Sequence, residues 1–227
     1  MEHFFIMGIA DRLKLLLSEL PSGVDVVATS KTHPNEAILE AYSIGQRIFG
    51  ENKVQELLAK YESLPKDIEW HFIGHLQTNK VKQLVPFVTL IHGVDSVRLL
   101  EEINKQALKI NRVVDVLLQI HIAQEESKFG LSDEELHQLI HSDLLARFTH
   151  VRVVGLMGMA SNTDDVAVVE REFSHIKQLY DLCKATLGEE LVTKLSIGMS
   201  GDYKIAIKYG GNLIRVGSMI FGERDYH

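Results

Sequence analysis

The sequence predicts an α/β protein: a (β/α)8 TIM-type barrel with an extra N-terminal helix, as a single domain over residues 1–227. Three observations carry that prediction. Eight apolar runs alternate with amphipathic helical patterns along nearly the whole chain, and such alternation implies parallel strands joined by right-handed crossovers. Runs such as 113–118 are almost continuously apolar, as expected of strands buried on both faces. An open doubly wound sheet would carry an early G-x-G-x-x-G fingerprint, and none is present. At 227 residues the chain is short for a barrel but within range.

The elements follow in order. Residues 6–20 have the apolar spacing of an amphipathic helix, closed by Pro21-Ser22-Gly23. The first strand covers 24–30, a β-branched run with Lys31 directly after it. Thr32-His33-Pro34-Asn35 then turns into a helix at 36–42 that ends at Gly45. Strand 47–50, helix 52–61, strand 70–73 and helix 79–85 come next. Strand 88–92 leads to a Ser96-capped helix at 96–110, and strand 113–122 to a helix at 132–140 that opens on Ser-Asp-Glu-Glu. Strand 151–157 precedes a long helix at 166–187 stopped by Gly188. Strand 195–199, helix 202–209 and strand 213–216 complete the series.

Composition excludes several classes. A hydrophobic fraction of 45% and a charged fraction of 24% are ordinary for a globular protein. The net charge of −7 argues against a nucleic-acid binder, which needs clustered Lys and Arg. Cys183 is the only cysteine, so no intrachain disulfide or cysteine-based zinc site is possible, and its helical pattern predicts a buried, inert thiol. The N-terminus carries Glu2 and His3, and its apolar run stops at Asp11-Arg12, unlike a signal peptide. No apolar stretch approaches the roughly 18–20 residues of a membrane span. A cytoplasmic protein without nucleic-acid or membrane partners is expected.

The chemistry concentrates at strand ends. Two C-terminal runs, Ser196-Ile197-Gly198-Met199-Ser200-Gly201-Asp202-Tyr203 and Leu213-Ile214-Arg215-Val216-Gly217-Ser218, finish in glycine and serine rather than charge. In barrels of this class, phosphate often binds the loops after strands seven and eight. Glycine lets an anion approach the backbone, serine donates a hydroxyl, and a helix N-terminus adds N–H groups. The same rule sets Lys31, Asn52, His75, Lys128 and Met157 around one mouth. A rim lysine can form a Schiff base with a carbonyl compound. A lone rim lysine is more often a solvated charge, but Lys31 follows a seven-residue run with no other positive charge, which favours the Schiff-base reading. Arg215 needs an acceptor if it points into the barrel; pointing outward, it would meet a helix carboxylate, and the pattern leaves both open. His71 and His75 are four apart at a strand end, so they share no helical face and no metal is expected. A ligand with an aldehyde, a ring nitrogen and a phosphate, such as pyridoxal 5′-phosphate, matches the set.

Several motifs carry a resemblance. They are Ser30-Lys31-Thr32 with Pro34, Gly50-Glu51-Asn52-Lys53-Val54-Gln55-Glu56, Trp70-His71-Phe72-Ile73-Gly74-His75-Leu76-Gln77-Thr78-Asn79-Lys80, Gly155-Leu156-Met157-Gly158-Met159, Met199-Ser200 with Asp202-Tyr203, and Arg215-Val216-Gly217-Ser218 with Ile220-Phe221-Gly222-Glu223-Arg224. Together, over residues 6–224, they resemble the pyridoxal phosphate homeostasis protein family, single-domain relatives of the alanine racemase barrel. The resemblance implies that Lys31 forms an internal aldimine with pyridoxal phosphate. Ser200, Gly217 and Ser218 would hold the phosphate, and Arg215 would face the pyridine nitrogen. Asn52 would lie near the ring with Ile73 and Met157 packed beside it, the last two reading also as plain core. His75 and Lys128 are weaker candidates for contact at the mouth.

No catalytic residue is implied. Racemase relatives carry a C-terminal β-domain with a second catalytic base, for which this chain, ending at His227, has no room, and Tyr203 is expected to pack. Gly210-Gly211-Asn212 replaces a segment where relatives usually have threonine, and His33 stands where lysine is frequent. The expected function is therefore buffering, carrying or delivering pyridoxal phosphate without turnover, as a monomer, with pyridoxal-phosphate-dependent apo-enzymes as recipients. A slow amino-acid racemase or another Schiff-base enzyme is the alternative.

Overall fold

The computed structural model describes residues 7–125 and 129–222. Its elements are α1 (Ile9–Glu19), β1 (Asp25–Thr29), α2 (Asn35–Ser43), β2 (Ile48–Glu51), α3 (Val54–Ser63), β3 (Glu69–Phe72), α4 (Val81–Leu84), β4 (Leu90–Val94) and α5 (Val97–Lys109). They continue as β5 (Val114–Ile120), α6 (Asp133–Ile140), β6 (Val151–Gly158), α7 (Val166–Leu187), β7 (Lys194–Ser196), α8 (Tyr203–Lys208), β8 (Leu213–Val216) and α9 (Ser218–Phe221). All strand pairs are parallel, in the order β7-β6-β5-β4-β3-β2-β1-β8. The expected eight strands and the N-terminal helix are therefore present.

The ring closes between β7 and β8 with little ladder. Asn212 N–H donates to the Leu195 carbonyl at 3.2 Å and Arg215 N–H to the Gly198 carbonyl at 2.9 Å. The Asn212 side chain adds a clip: its oxygen accepts from Leu195 N–H and its nitrogen donates to the Thr193 carbonyl. α1 lies outside the eightfold repeat beside α2 and α9, where the Arg12 guanidinium donates to the Ile220 carbonyl at 2.8 Å.

Apolar side chains divide by face. The large cluster between strands and helices includes Trp70, Phe49, Phe72 and Phe173, all essentially buried. A smaller cluster fills the bore: Val27, Leu90, Leu117, Met157 and Leu213, with Ile48, Ile73, Val154 and Met159 at its margins. Helix ends follow local chemistry. Ser132 and Glu135 form a reciprocal capping box on α6, and Ser96 caps α5 by accepting from Leu99 N–H. Cys183 is buried in α7, and burial pushes its thiol up to about 12. No helix among the described residues is long and apolar enough to cross a membrane.

Differences from the sequence reading lie at the ends of elements. β2, β3 and β4 each sit slightly later or earlier than expected, and the fourth helix is a 3-10 turn, Thr78–Lys80, running into α4. The short 3-10 turn Leu145–Arg147 and α9 are too brief to show a period.

Gly155 controls how closely β6 and β7 approach. It is register partner to Lys194, and a Cβ there would overlap the Lys194 carbonyl. Gly155→Ala should lower unfolding stability by about 2–3 kcal/mol in denaturant titrations. A change within about 0.5 kcal/mol would show that the two strands can separate freely.

Candidate functional site

A cavity of about 790 Å³ opens at the C-terminal ends of the strands. Seven of the expected site residues line it: Lys31, Asn52, Ile73, Ser200, Arg215, Gly217 and Ser218. His75 reaches the same cavity from the rim. Lys128 lies outside the described residues.

Lys31 starts a tight turn after β1 that is fastened from behind. The Lys60 ammonium of α3 donates to the Ser30 carbonyl at 2.9 Å, to Glu51 at 2.7 Å and to Glu56 at 2.7 Å. The Ser30 hydroxyl donates to the same Glu51 oxygen at 2.6 Å, and Thr32 N–H donates to Glu56 at 2.6 Å. Thr32 has φ of +69°, a region that β-branched residues rarely occupy. Its N–H bond to Glu56 holds that conformation. Burial raises the Glu51 carboxyl above its ordinary pKa despite Lys60, and its second oxygen has no partner. Partial burial also works to raise Glu56, but hydrogen bonds from Lys60 and Thr32 outweigh it and hold its carboxyl below the usual range.

Arg215 points into the bore, which decides the orientation that the sequence left open. It pairs in register with Val27, whose side chain belongs to the bore cluster. Nη1 donates to the Ser196 carbonyl at 2.7 Å and the Ser196 hydroxyl at 2.6 Å, and Nη2 donates to the Gly158 carbonyl at 2.9 Å. Burial lowers its pKa to about 10, with Asp202 opposing, so it is cationic at neutral pH. Beneath it lie two buried imidazoles, His92 and His71. Burial, reinforced by Lys194, pulls His71 down to about 3; burial, then His71 and Arg215, pull His92 well below its ordinary value. Both are neutral.

The serine and glycine end is built by the last two strand-to-helix loops. Gly198 takes φ of +91°, and a Cβ there would press on Tyr203 and Ala206. Met199 N–H is tied to the Asp202 carboxylate at 2.6 Å, and Gly217 N–H donates weakly to the Ser200 hydroxyl at 3.4 Å. The two loops therefore meet at one edge of the cavity.

Met157 is the exception among the expected residues. It is only 1% exposed in the bore cluster and does not line the cavity. β6 runs to Gly158, and side chains two apart share a face, so the mouth position passes to Met159. Tyr203 packs with its hydroxyl buried and unpartnered, outside the cavity lining. His71 and His75 diverge: His71 faces His92 in the bore, whereas His75 bonds Asp95 at 2.9 Å and stacks on Phe129. Gln119, Phe129 and Met159 also line the cavity and were not anticipated. Gln119, a polar residue in an apolar run, was the available signal; its amide donates to the Phe129 carbonyl.

Comparison with known proteins gives this geometry a lineage. The family described as "Alanine racemase, N-terminal domain" matches residues 8–225. A pyridoxal phosphate homeostasis protein of Aquifex aeolicus is 42% identical over 202 residues, covering 88% of this chain and 87% of that one. The chain belongs to the pyridoxal phosphate homeostasis protein family. Another member, from Vibrio alginolyticus, is 36% identical over 91% of this chain and 89% of its own. The structure of PipY from Synechococcus elongatus, 36% identical, superposes with a TM-score of 0.88 over 94% of this chain and the whole of that one. PipY with pyridoxal phosphate bound superposes with a TM-score of 0.84. Alanine racemase of Clostridium difficile, at 12% identity and TM-score 0.76, shares the barrel over 96% of this chain and 57% of its own, a likeness of fold alone.

Two outcomes test this site's electrostatics. His71 falls from 6.5 to about 3 on folding, so its contribution is present above pH 6.5 and is lost progressively as pH falls toward 3. Acidifying from pH 7 to pH 5 should remove about 2 kcal/mol through this group, and His71→Asn should flatten that part of the stability–pH curve. Lys60→Met should cost about 3–5 kcal/mol in denaturant titrations, because it strands the buried Glu51 charge beside Glu56.

Proposed function

We propose that this protein binds pyridoxal 5′-phosphate covalently through Lys31 and acts as a reservoir and donor of the cofactor, without committed turnover. The observation that carries the reading is one cavity lined by an amine, a cation and a hydroxyl-rich loop pair: Lys31, Arg215, and Ser200 with Gly217 and Ser218. The Lys31 amine would condense with the ligand's aldehyde, releasing water as the C=N bond forms. Ser200 and Ser218 would donate to the phosphate, with Gly217 leaving the backbone accessible. Asn52 and Ile73 would flank the ring, and Met159 takes the place expected for Met157. The residues fit the group: about 790 Å³ accommodates it, and Arg215 has N–H donors to spare for a ring acceptor.

When bound, the cofactor supplies an aldehyde and an electron-accepting ring. Arg215 governs how strongly the ring can accept electrons, because a cation beside the ring nitrogen disfavours its protonation. That supports carriage over carbanion chemistry. So does the position of Tyr203, whose buried hydroxyl is no candidate for a second base at the mouth. The names of the Aquifex aeolicus and Vibrio alginolyticus relatives, both pyridoxal phosphate homeostasis proteins, support this reading.

Two assays on the cofactor-loaded protein test the function. Loaded protein should restore activity to a pyridoxal-phosphate-dependent apo-enzyme, while amino acids in heavy water should exchange no α-proton beyond the free-cofactor rate. Steady exchange at an enzyme-like rate, on the order of 10 s⁻¹, would establish an enzyme instead.

A further inference from the structure

Below the cavity floor a hydrogen-bonded chain crosses the bore. Arg215 Nη1 donates to the Ser196 hydroxyl at 2.6 Å, Ser196 Oγ lies 2.9 Å from His92 Nδ1, and His92 Nε2 lies 3.0 Å from His71 Nδ1. Ser196 and His92 are 0% exposed and His71 4%. His71 borders a second, smaller cavity of about 150 Å³ at the opposite end of the barrel, with Asp25, Glu69, Asp115 and Lys194. The chain therefore joins β8, β7, β4 and β3 through the middle of the fold.

Its direction follows from counting donors. A guanidinium can only donate, so Ser196 Oγ accepts from Arg215 and its own hydrogen must go elsewhere. His92 Nδ1 is the acceptor within reach. His92 then carries its hydrogen on Nε2 and donates to His71 Nδ1, and His71 carries its hydrogen on Nε2. The reverse direction leaves the buried Ser196 hydrogen without an acceptor, at a cost of about 1–3 kcal/mol. Burial keeps both imidazoles neutral, as the chain requires.

We propose that Ser196, His92 and His71 are positioning residues that aim Arg215 at the ring nitrogen of the bound pyridine cofactor, a role that rests on the function proposed above. The Ser196 carbonyl and hydroxyl occupy both Nη1 hydrogens, and the Gly158 carbonyl occupies one on Nη2. Five N–H groups less three leaves Nε–H and one Nη2–H, on a side chain that lines the cavity. No carboxylate is hydrogen-bonded to the guanidinium among the described residues, so its charge stays available to a ligand acceptor. Polarisation along a chain of neutral groups strengthens each bond without adding a counter-ion.

The test combines tautomer and affinity measurements. Nitrogen NMR of the unmodified protein should show His92 and His71 as Nε2–H tautomers that do not titrate between about pH 5 and 8. A proton on His92 Nδ1, or charging of either ring, overturns the proposal. The affinity arm compares pyridoxal phosphate with its carbocyclic analogue, in which CH replaces the ring nitrogen. The unmodified protein should prefer pyridoxal phosphate by about tenfold or more. Ser196→Ala should bring that preference toward unity, and Ser196→Thr, which keeps the hydroxyl, should restore it. Equal weakening of both ligands by Ser196→Ala, or no preference in the unmodified protein, overturns the positioning role while leaving cofactor binding intact. Failure of both ligands to bind the unmodified protein overturns the functional reading and the role together.

Discussion

Arg215 puts a permanent positive charge in a bore that also holds the apolar Val27, Leu117 and Met157 and the neutral Ser196, His92 and His71, and much of the surrounding arrangement answers that charge. A buried cation without partners is unaffordable, so three acceptors converge on it, from Ser196 on β7 and Gly158 on β6. Those acceptors sit where the barrel is weakest. β7 and β8 share little ladder, and the bridge between Met199 and Arg215 is one of their few backbone links. The guanidinium thus ties β6, β7 and β8 across the seam while presenting its remaining donors to the cavity. Charge, closure and ligand side are one problem with one residue at its centre.

A second charged system lies outside the barrel wall and supports the end of β1, the strand next to Arg215's β8. Lys60 of α3 is only 6% exposed, and its three donors go to Ser30, Glu51 and Glu56. Its partners grip the turn on both sides of Lys31, and Thr32 is held in a left-handed conformation as a result. Buried ion networks of this kind add little net stability over an apolar replacement, but they fix geometry. Lys31 therefore rises from a turn clamped at both ends and lines the same cavity as Arg215, from the neighbouring strand.

How much of this was legible depends on the kind of signal. Alternating apolar and amphipathic stretches identify the barrel, because each strand is buried on both faces and each helix on one. The strand-end rule then brings Lys31, Asn52, Ser200 and Ser218 together without any knowledge of contacts. That same two-sided burial hides which face of β8 is inward, so the direction of Arg215 needed the register with Val27. Met157 lies below the cavity lining for a related reason. The β5–β6 pairing shifts between Val116 and Leu117, and β6 extends to Gly158, which moves the mouth position on to Met159. The Ser196–His92–His71 chain joins residues up to 104 positions apart, and no local pattern announces such a contact.

The central claim is that Lys31 is the residue that holds pyridoxal phosphate. The most direct measurement is to load the protein with the cofactor, reduce it with borohydride and map the modified peptide by mass spectrometry. The account predicts one stoichiometric adduct on Lys31, and none on that peptide in Lys31→Ala. An adduct at another lysine, or no stable adduct after loading, would contradict it.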